Sequence, residues 1–337
     1  MTTPAPSTRP PRAELHVHVE GTLEPDLAFE LAARNGVGLP YPDPESLRAA
    51  YEFEDLRSFL DLYSAAMSVL RNEADFADLT SAYLTRAARA GVRHAEISFD
   101  PQAHLVRGVP LEAVVDGIAG ALRRSEVEHG VTTLLIAAFH RDRDSAEALD
   151  ILERLLAMDA PIVGIGLDNA EIGYPPGPFR DVYARAEEAG LRRTAHAGEE
   201  GPAQNVRDAL DLLHAERIDH GIAVVQDPEL VARVVAEQVP FTVCPVSNVR
   251  LRAVPALAEH PLPAMIEAGM LVSINSDDPP YFGAYVDDVD DAVTAAFGLT
   301  RDQRAALAAA SFRGSFLPPD RVAAHLADVE AWRLADG

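Results

Sequence analysis

The chain has 337 residues, 48% of them hydrophobic, enough to bury a substantial core as one large domain or two ordinary ones. Its 53 acidic and 29 basic residues leave a formal charge of -24, which argues against a phosphate backbone or an anionic membrane surface as partner. All 29 basic residues are arginine, so Schiff-base chemistry, a P-loop and a two-metal site bridged by a carboxylated lysine are excluded. Cys244 is the single cysteine, which permits no internal disulfide and rules out cysteine-rich zinc motifs.

Residues 1–12 lack the apolar segment of a signal peptide and read as a flexible tail before a single domain over 13–335. No apolar run reaches membrane-spanning length, so the expected location is the cytoplasm. The first candidate strand covers 13–20, within Glu14-Leu15-His16-Val17-His18-Val19-Glu20-Gly21. Residues two apart on a strand point the same way, so both imidazoles can reach one ion. The stretch 22–80 then carries extra helices, ending in a helix over 74–90.

From there short apolar runs alternate with longer stretches of helical period. Strands are expected at 93–99, 132–139, 162–168, 192–197, 216–220, 240–246 and 270–276. Between them come helices at 111–128, 144–157, 178–189, 202–214, 227–237 and 259–268, and further helices fill 290–335. Eight strands alternating with helices predict an α/β fold, a closed (β/α)8 TIM barrel with extra helices after strand 1 and at the C-terminus. An open doubly wound sheet is the other arrangement, but no Gly-x-Gly-x-x-Gly follows the first strand.

Polar residues punctuate the strand ends. His16 and His18, Asp100, Asp168 and Glu171, His196 and Glu199, His220, Ser247 and Asn248, and Asp277 and Asp278 all fall at or just past C-terminal ends. In a barrel those ends form one face, where catalytic groups gather. His16, His18 and His196 are the nitrogen candidates for a metal and Asp277 the oxygen candidate, a donor set suited to zinc. Glu199, three residues past His196, suits a general acid, and its competing role is a helix-start carboxylate. His220 could orient a metal-activated water or accept its proton. His94, His104, His129, His140, His214, His260 and His325 read as structural or exposed, and Cys244 as buried packing.

Five segments in order resemble the adenosine/adenine deaminase family of amidohydrolase-type barrels. They are Glu14 to Gly21, His196-Ala197-Gly198-Glu199, Asp219-His220-Gly221, Cys244-Pro245-Val246-Ser247-Asn248 and Ser273 to Pro279. The resemblance implies one Zn2+ per chain held by His16, His18, His196 and Asp277. It implies Glu199 as the acid that protonates purine N1, His220 as the residue that positions the attacking oxygen, and Asp278 as the partner of N7. The product pair would be hypoxanthine and ammonia, a step of purine salvage or catabolism.

Within the family the chain looks closer to the branch acting on free adenine. Members acting on the nucleoside typically carry Asp where Glu20 stands, and Glu20 is expected to plug the ribose space. The segments around Asp100 and around Asp168 to Glu171 also resemble adenine deaminases, which adds Glu20, Asp100, Asp168 and Glu171 to the expected substrate contacts. Three departures concern the pocket: Asn169-Ala170 for the usual Ser-Ser, Tyr174 for His, and Ile97-Ser98 for Pro-Phe. The smaller Ser98 is expected to open room for a bulkier purine. Adenosine and an N6-substituted adenine are the alternative substrates; a different metal-dependent amidohydrolase and a non-catalytic relic are the remaining readings. The partner is a small purine, with neither nucleic acid nor membrane, and a homo-oligomer is compatible with the sequence.

Overall fold

A computed structural model describes residues 9–53 and 56–335. Eight parallel strands follow one another around a single sheet in chain order: β1 (Arg12–Glu14), β2 (Val92–Phe99), β3 (Thr132–His140), β4 (Ile162–Asp168), β5 (Arg192–Ala197), β6 (Arg217–His220), β7 (Pro240–Val243) and β8 (Leu271–Ile274). The ring closes just past β1, where Val17 bridges Asp277 in parallel. His18 N donates to the Asp277 carbonyl at 3.2 Å, and Asp277 N donates to the His16 carbonyl at 3.1 Å. The fold is therefore a (β/α)8 TIM barrel, and the residues that close it are the candidate metal ligands.

Helices between the strands bury their apolar faces against the outside of the barrel, as in Leu111–His129, where Leu111, Val114, Val115 and Ile118 are buried. Between β1 and β2 lie Pro25–Asn35, Pro44–Ala49, Leu56–Ala66 and Glu73–Arg89. After β8 come Val286–Phe297, Arg301–Arg313 and Pro319–Leu334. A second apolar cluster joins Leu15 of the first strand segment to Phe312, Val329 and Trp332 of these last helices. Among the described residues no helix is long and apolar enough to cross a membrane.

The barrel floor is polar and buried. Arg217 of β6 donates to Glu96 of β2 at 2.5 Å and stacks its guanidinium 4.4 Å from the Phe316 ring centre. Glu96 also accepts from Phe316 N at 2.5 Å, so the C-terminal segment is tied to the floor.

Three strands end earlier than the sequence suggests, β8 by two residues at Ile274. β7 stops at Val243 because Pro245 has no N–H for a ladder and starts the helix Pro245–Arg250. The first strand is regular only to Glu14, then continues as isolated bridges at Val17 and His18 before a 3-10 turn over Glu20–Thr22. Of the expected tail over 1–12, residues 1–8 lie outside the described residues. Arg9 pairs with Asp287 at 2.5 Å, and Arg12 opens β1 and pairs with Asp290 at 2.7 Å.

Candidate active site

At the C-terminal mouth of the barrel, the Nε2 atoms of His16 and His196 lie 3.0 Å apart, and those of His18 and His196 3.3 Å apart. Asp277 Oδ1 is 3.3 Å from His16 Nε2 and 3.5 Å from His18 Nε2. Metal–ligand bonds of about 2.0–2.1 Å in a tetrahedron require donor–donor edges of about 3.3 Å. Four of the six donor–donor distances in this group, drawn from the β1, β5 and β8 ends, thus fall near the spacing a zinc ion requires, and all four donors lie within 4.8 Å of one another.

The rings are turned by partners behind them. His16 Nδ1 sits 3.1 Å from the Thr242 carbonyl, which can only accept, so the proton is on Nδ1 and the Nε2 lone pair faces the centre. His196 Nδ1 faces Asp219 Oδ2 at 3.6 Å, and Asp219 is anchored by the hydroxyls of Thr242, at 2.7 Å, and Thr194. His18 Nδ1 faces Asp168 Oδ2 at 3.7 Å and Asp100 Oδ1 at 4.0 Å. Burial pushes the His18 imidazole down to about 3, keeping it neutral and able to ligate. Burial works against ionisation of Asp277, but the surrounding imidazoles, His16 first, hold its carboxyl well below the usual range. Its second oxygen accepts from Ser247 Oγ at 2.6 Å.

Glu199 follows β5 on a turn whose backbone is gripped from behind. Glu171 accepts from four consecutive amides, Gly198 at 2.6 Å, Glu199 at 2.9 Å, Glu200 at 3.1 Å and Gly201 at 2.9 Å, and from Asn205 Nδ2 at 2.8 Å. The Glu199 side chain is 8% exposed, and burial followed by the charge of Asp277 pushes its carboxyl well above the usual range. Asp278 is raised the same way, by burial and then by Asp277. Gly21 makes room for it: a Cβ there would come within 1.8 Å of Asp278 Oδ1.

These groups line one cavity at the mouth of the barrel. His18, His196, His220, Glu199, Asp277 and Asp278 form one wall, and Asp100, His140, Asp168 and Asn169 another. Leu56, Leu60, Tyr63, Ser64 and Met67 cover it from the insertion after the first strand. Both Asp168 oxygens and Asp100 Oδ1 are buried without a hydrogen-bond donor. Three cavity residues, Asn169, His220 and Asp277, hold left-handed backbone at φ of 71°, 59° and 68°, a strain that tends to collect at functional sites.

Two expected substrate contacts are engaged elsewhere. Glu171 is absent from the cavity wall because its oxygens are taken by the loop it braces. Glu20 lies fully buried behind the wall, its Oε1 2.6 Å from His104 Nε2 and 3.1 Å from Asp100 N. Neither Ile97 nor Ser98 lines the cavity; Ser98 is occupied in backbone bonds, its carbonyl accepting from Val19 N at 2.8 Å. In the other direction, three histidines read as structural or exposed do belong near the site. His140 lines the cavity as the last residue of β3, one past the strand end the sequence suggested. His104 pairs with Glu20, and His260 bonds to Asn248 at 3.2 Å. The apolar lid was legible only as spacing: Leu56, Leu60, Tyr63 and Met67 recur at helical intervals.

A parallel barrel with three imidazoles and a carboxylate converging at its C-terminal mouth, and a carboxyl raised by burial beside them, is an amidohydrolase-type arrangement capable of holding a metal. Residues 11–332 match the Adenosine deaminase family. The chain is 57% identical over 326 residues to adenine deaminase of Streptomyces coelicolor, covering 96% of each. The crystal structure of adenine deaminase from Arthrobacter aurescens superposes with a TM-score of 0.96 at 60% identity, covering 97% of this chain and all of that one. A zinc-bound amidohydrolase from Burkhoderia ambifaria superposes with a TM-score of 0.88 at 31% identity, covering 96% of this chain and 90% of that one. The chain belongs to the adenosine deaminase family.

Proposed function

We propose that this protein is a zinc-dependent deaminase that converts adenine to hypoxanthine and ammonia in the cytoplasm. The observation that carries the reading is the set of four donors within 4.8 Å of one another, four of their six separations being 3.0–3.5 Å, beside the buried acid Glu199. His16, His18, His196 and Asp277 would hold one zinc ion, in keeping with the zinc in the related amidohydrolase. When bound, zinc lowers the pKa of a coordinated water toward roughly 7, which supplies a nucleophile at neutral pH.

The remaining chemistry falls to the chain itself. Glu199 gives its proton to purine N1, which draws electron density from C6 and readies that carbon for attack. Asp278, which keeps a proton through burial, donates a hydrogen bond to N7. These two contacts flank C6 and fix the ring in its plane. His220, with Nε2 3.5 Å from Glu199 Oε2 and 3.7 Å from Asp277 Oδ2, faces the place where the attacking oxygen must sit. The apolar residues Leu56, Leu60 and Met67 close over the opposite side and keep bulk water from the ring.

One feature favours the free base over its nucleoside. Asp168 and Asp100 bring buried oxygens without donors to the wall, and adenine carries an imidazole N–H that adenosine lacks. A site built around such an N–H rejects analogues without it by up to about 10⁴–10⁵. The test is ammonia release by the zinc-loaded enzyme from adenine, adenosine, 9-methyladenine and an N6-alkyladenine. The reading expects adenine to exceed the others by at least about a thousandfold in kcat/KM. Adenosine turned over as well as adenine would overturn the free-base assignment, and silence toward all four would overturn the reaction.

A further inference from the structure

A chain of hydrogen bonds behind the site runs in one direction only, because it starts at a backbone amide. Leu262 N, the first amide of the helix Leu262–Glu267, donates to His260 Nδ1 at 3.0 Å. An amide N–H cannot accept, so Nδ1 is the unprotonated nitrogen of that ring. Burial pushes His260 down to about 4, so the ring is neutral and its one proton is on Nε2. That Nε2 lies 3.2 Å from Asn248 Oδ1, to which it donates. The Asn248 amide is thereby oriented, and its NH2 group faces His220 Nδ1 at 3.2 Å and Glu199 Oε1 at 3.2 Å. His220 Nδ1 must accept, which leaves the proton of the neutral His220 ring on Nε2.

We infer that His260, acting through Asn248, is a positioning residue that fixes His220 as the Nε2–H tautomer, so that His220 donates a hydrogen bond to the attacking oxygen instead of taking its proton. His260 is 40 residues from His220 and lines no part of the catalytic cavity. Its ring, like Asn248 and His220, is buried, so water does not compete for these bonds. The left-handed backbone of His220, at φ 59°, aims the ring so that Nδ1 meets Asn248 and Nε2 meets the site. The same amide of Asn248 holds Glu199, so one side chain sets the orientation of both the acid and the imidazole.

Consequences differ from those of a base. A His220 that accepted a proton would have to present a bare Nε2 to the cavity, and Asn248 would then face a protonated Nδ1 with its own NH2. Two donors would meet at 3.2 Å, leaving a buried N–H without an acceptor. The inference rests on the deaminase reading for its meaning in catalysis, but its geometry does not.

Nitrogen-15 NMR of histidine-labelled, zinc-loaded protein reads each tautomer directly, with His220→Gln used to assign the signal. The expected spectrum has His220 protonated on Nε2 and bare on Nδ1; the reverse pattern would overturn the inference with no variant needed. Replacing His260 with Leu should lower kcat about 10–100-fold, the usual loss for an outer partner, while KM changes little and zinc remains bound. In that variant the His220 signal should shift toward a mixture of tautomers. His260→Gln, which still presents an N–H to Asn248, should recover much of kcat. An unchanged kcat and an unchanged His220 tautomer in His260→Leu would also overturn it. If wild type fails to deaminate adenine, the reaction is wrong, while the tautomer measurement still judges the hydrogen-bond chain.

Discussion

Glu199 shows how a side chain gets its chemistry from position. It lies three residues past the candidate metal ligand His196, where burial and then the charge of Asp277 raise its carboxyl. A carboxyl kept protonated there can serve as an acid near neutral pH, where an exposed glutamate could not. Glu199→Gln keeps the shape and removes the proton to be transferred. It should retain one zinc per chain by elemental analysis and lose roughly two to four decades of kcat. The convergence of the candidate ligands and acid was readable in the sequence because paired histidines and adjacent aspartates at strand ends are costly to bury without a purpose. His140 and His260 were not. One needed the strand to run a single residue further, and the other acts through Asn248 across a loop that no periodicity describes.

Among the elements, the turn 198–201 after β5 carries the greatest load. Its four amides would otherwise be buried donors, and Glu171 accepts them all from the loop after β4. Burial opposes the charge of Glu171, but Arg141 and these amides hold its carboxyl below the usual range, so it stays an acceptor. Glu171→Gln turns one oxygen into a donor facing donors. Each buried amide left unmet costs about 1–3 kcal/mol, so the variant should unfold at clearly lower denaturant and lose activity together with stability. A variant as stable as wild type would show that the brace is dispensable. Sequence placed Glu171 at a strand end correctly but pointed it at substrate, since spacing along the chain does not say which way a loop carboxylate turns. Strand β7 teaches a related lesson: the apolar run to Val246 hid a proline that ends the ladder.

For the molecule as a whole, barrel closure and the candidate metal site involve the same residues. The bonds between His16, His18 and Asp277 backbones join the first and last strands, and the side chains of these residues form three quarters of the donor set. A ligand that binds only the folded state at 1,000 times its Kd stabilises by about 4.1 kcal/mol. Removing zinc with a chelator should therefore lower Tm by several degrees and restore it on adding zinc back. An unchanged Tm would separate closure from the ion. Barrel topology was legible because eight apolar runs alternate with helical stretches. The placement of the helix Leu56–Ala66 over the cavity and the floor sealed by Arg217, Glu96 and Phe316 were not, because both depend on contacts between segments far apart in the chain.

All of this turns on one ion at one place. A crystal of the purified protein measured on both sides of the zinc absorption edge should give a single anomalous peak about 2.0–2.2 Å from Nε2 of His16, His18 and His196 and from Oδ1 of Asp277. No peak there, or a peak at Asp100 and Asp168 with those four side chains unligated, would contradict the account.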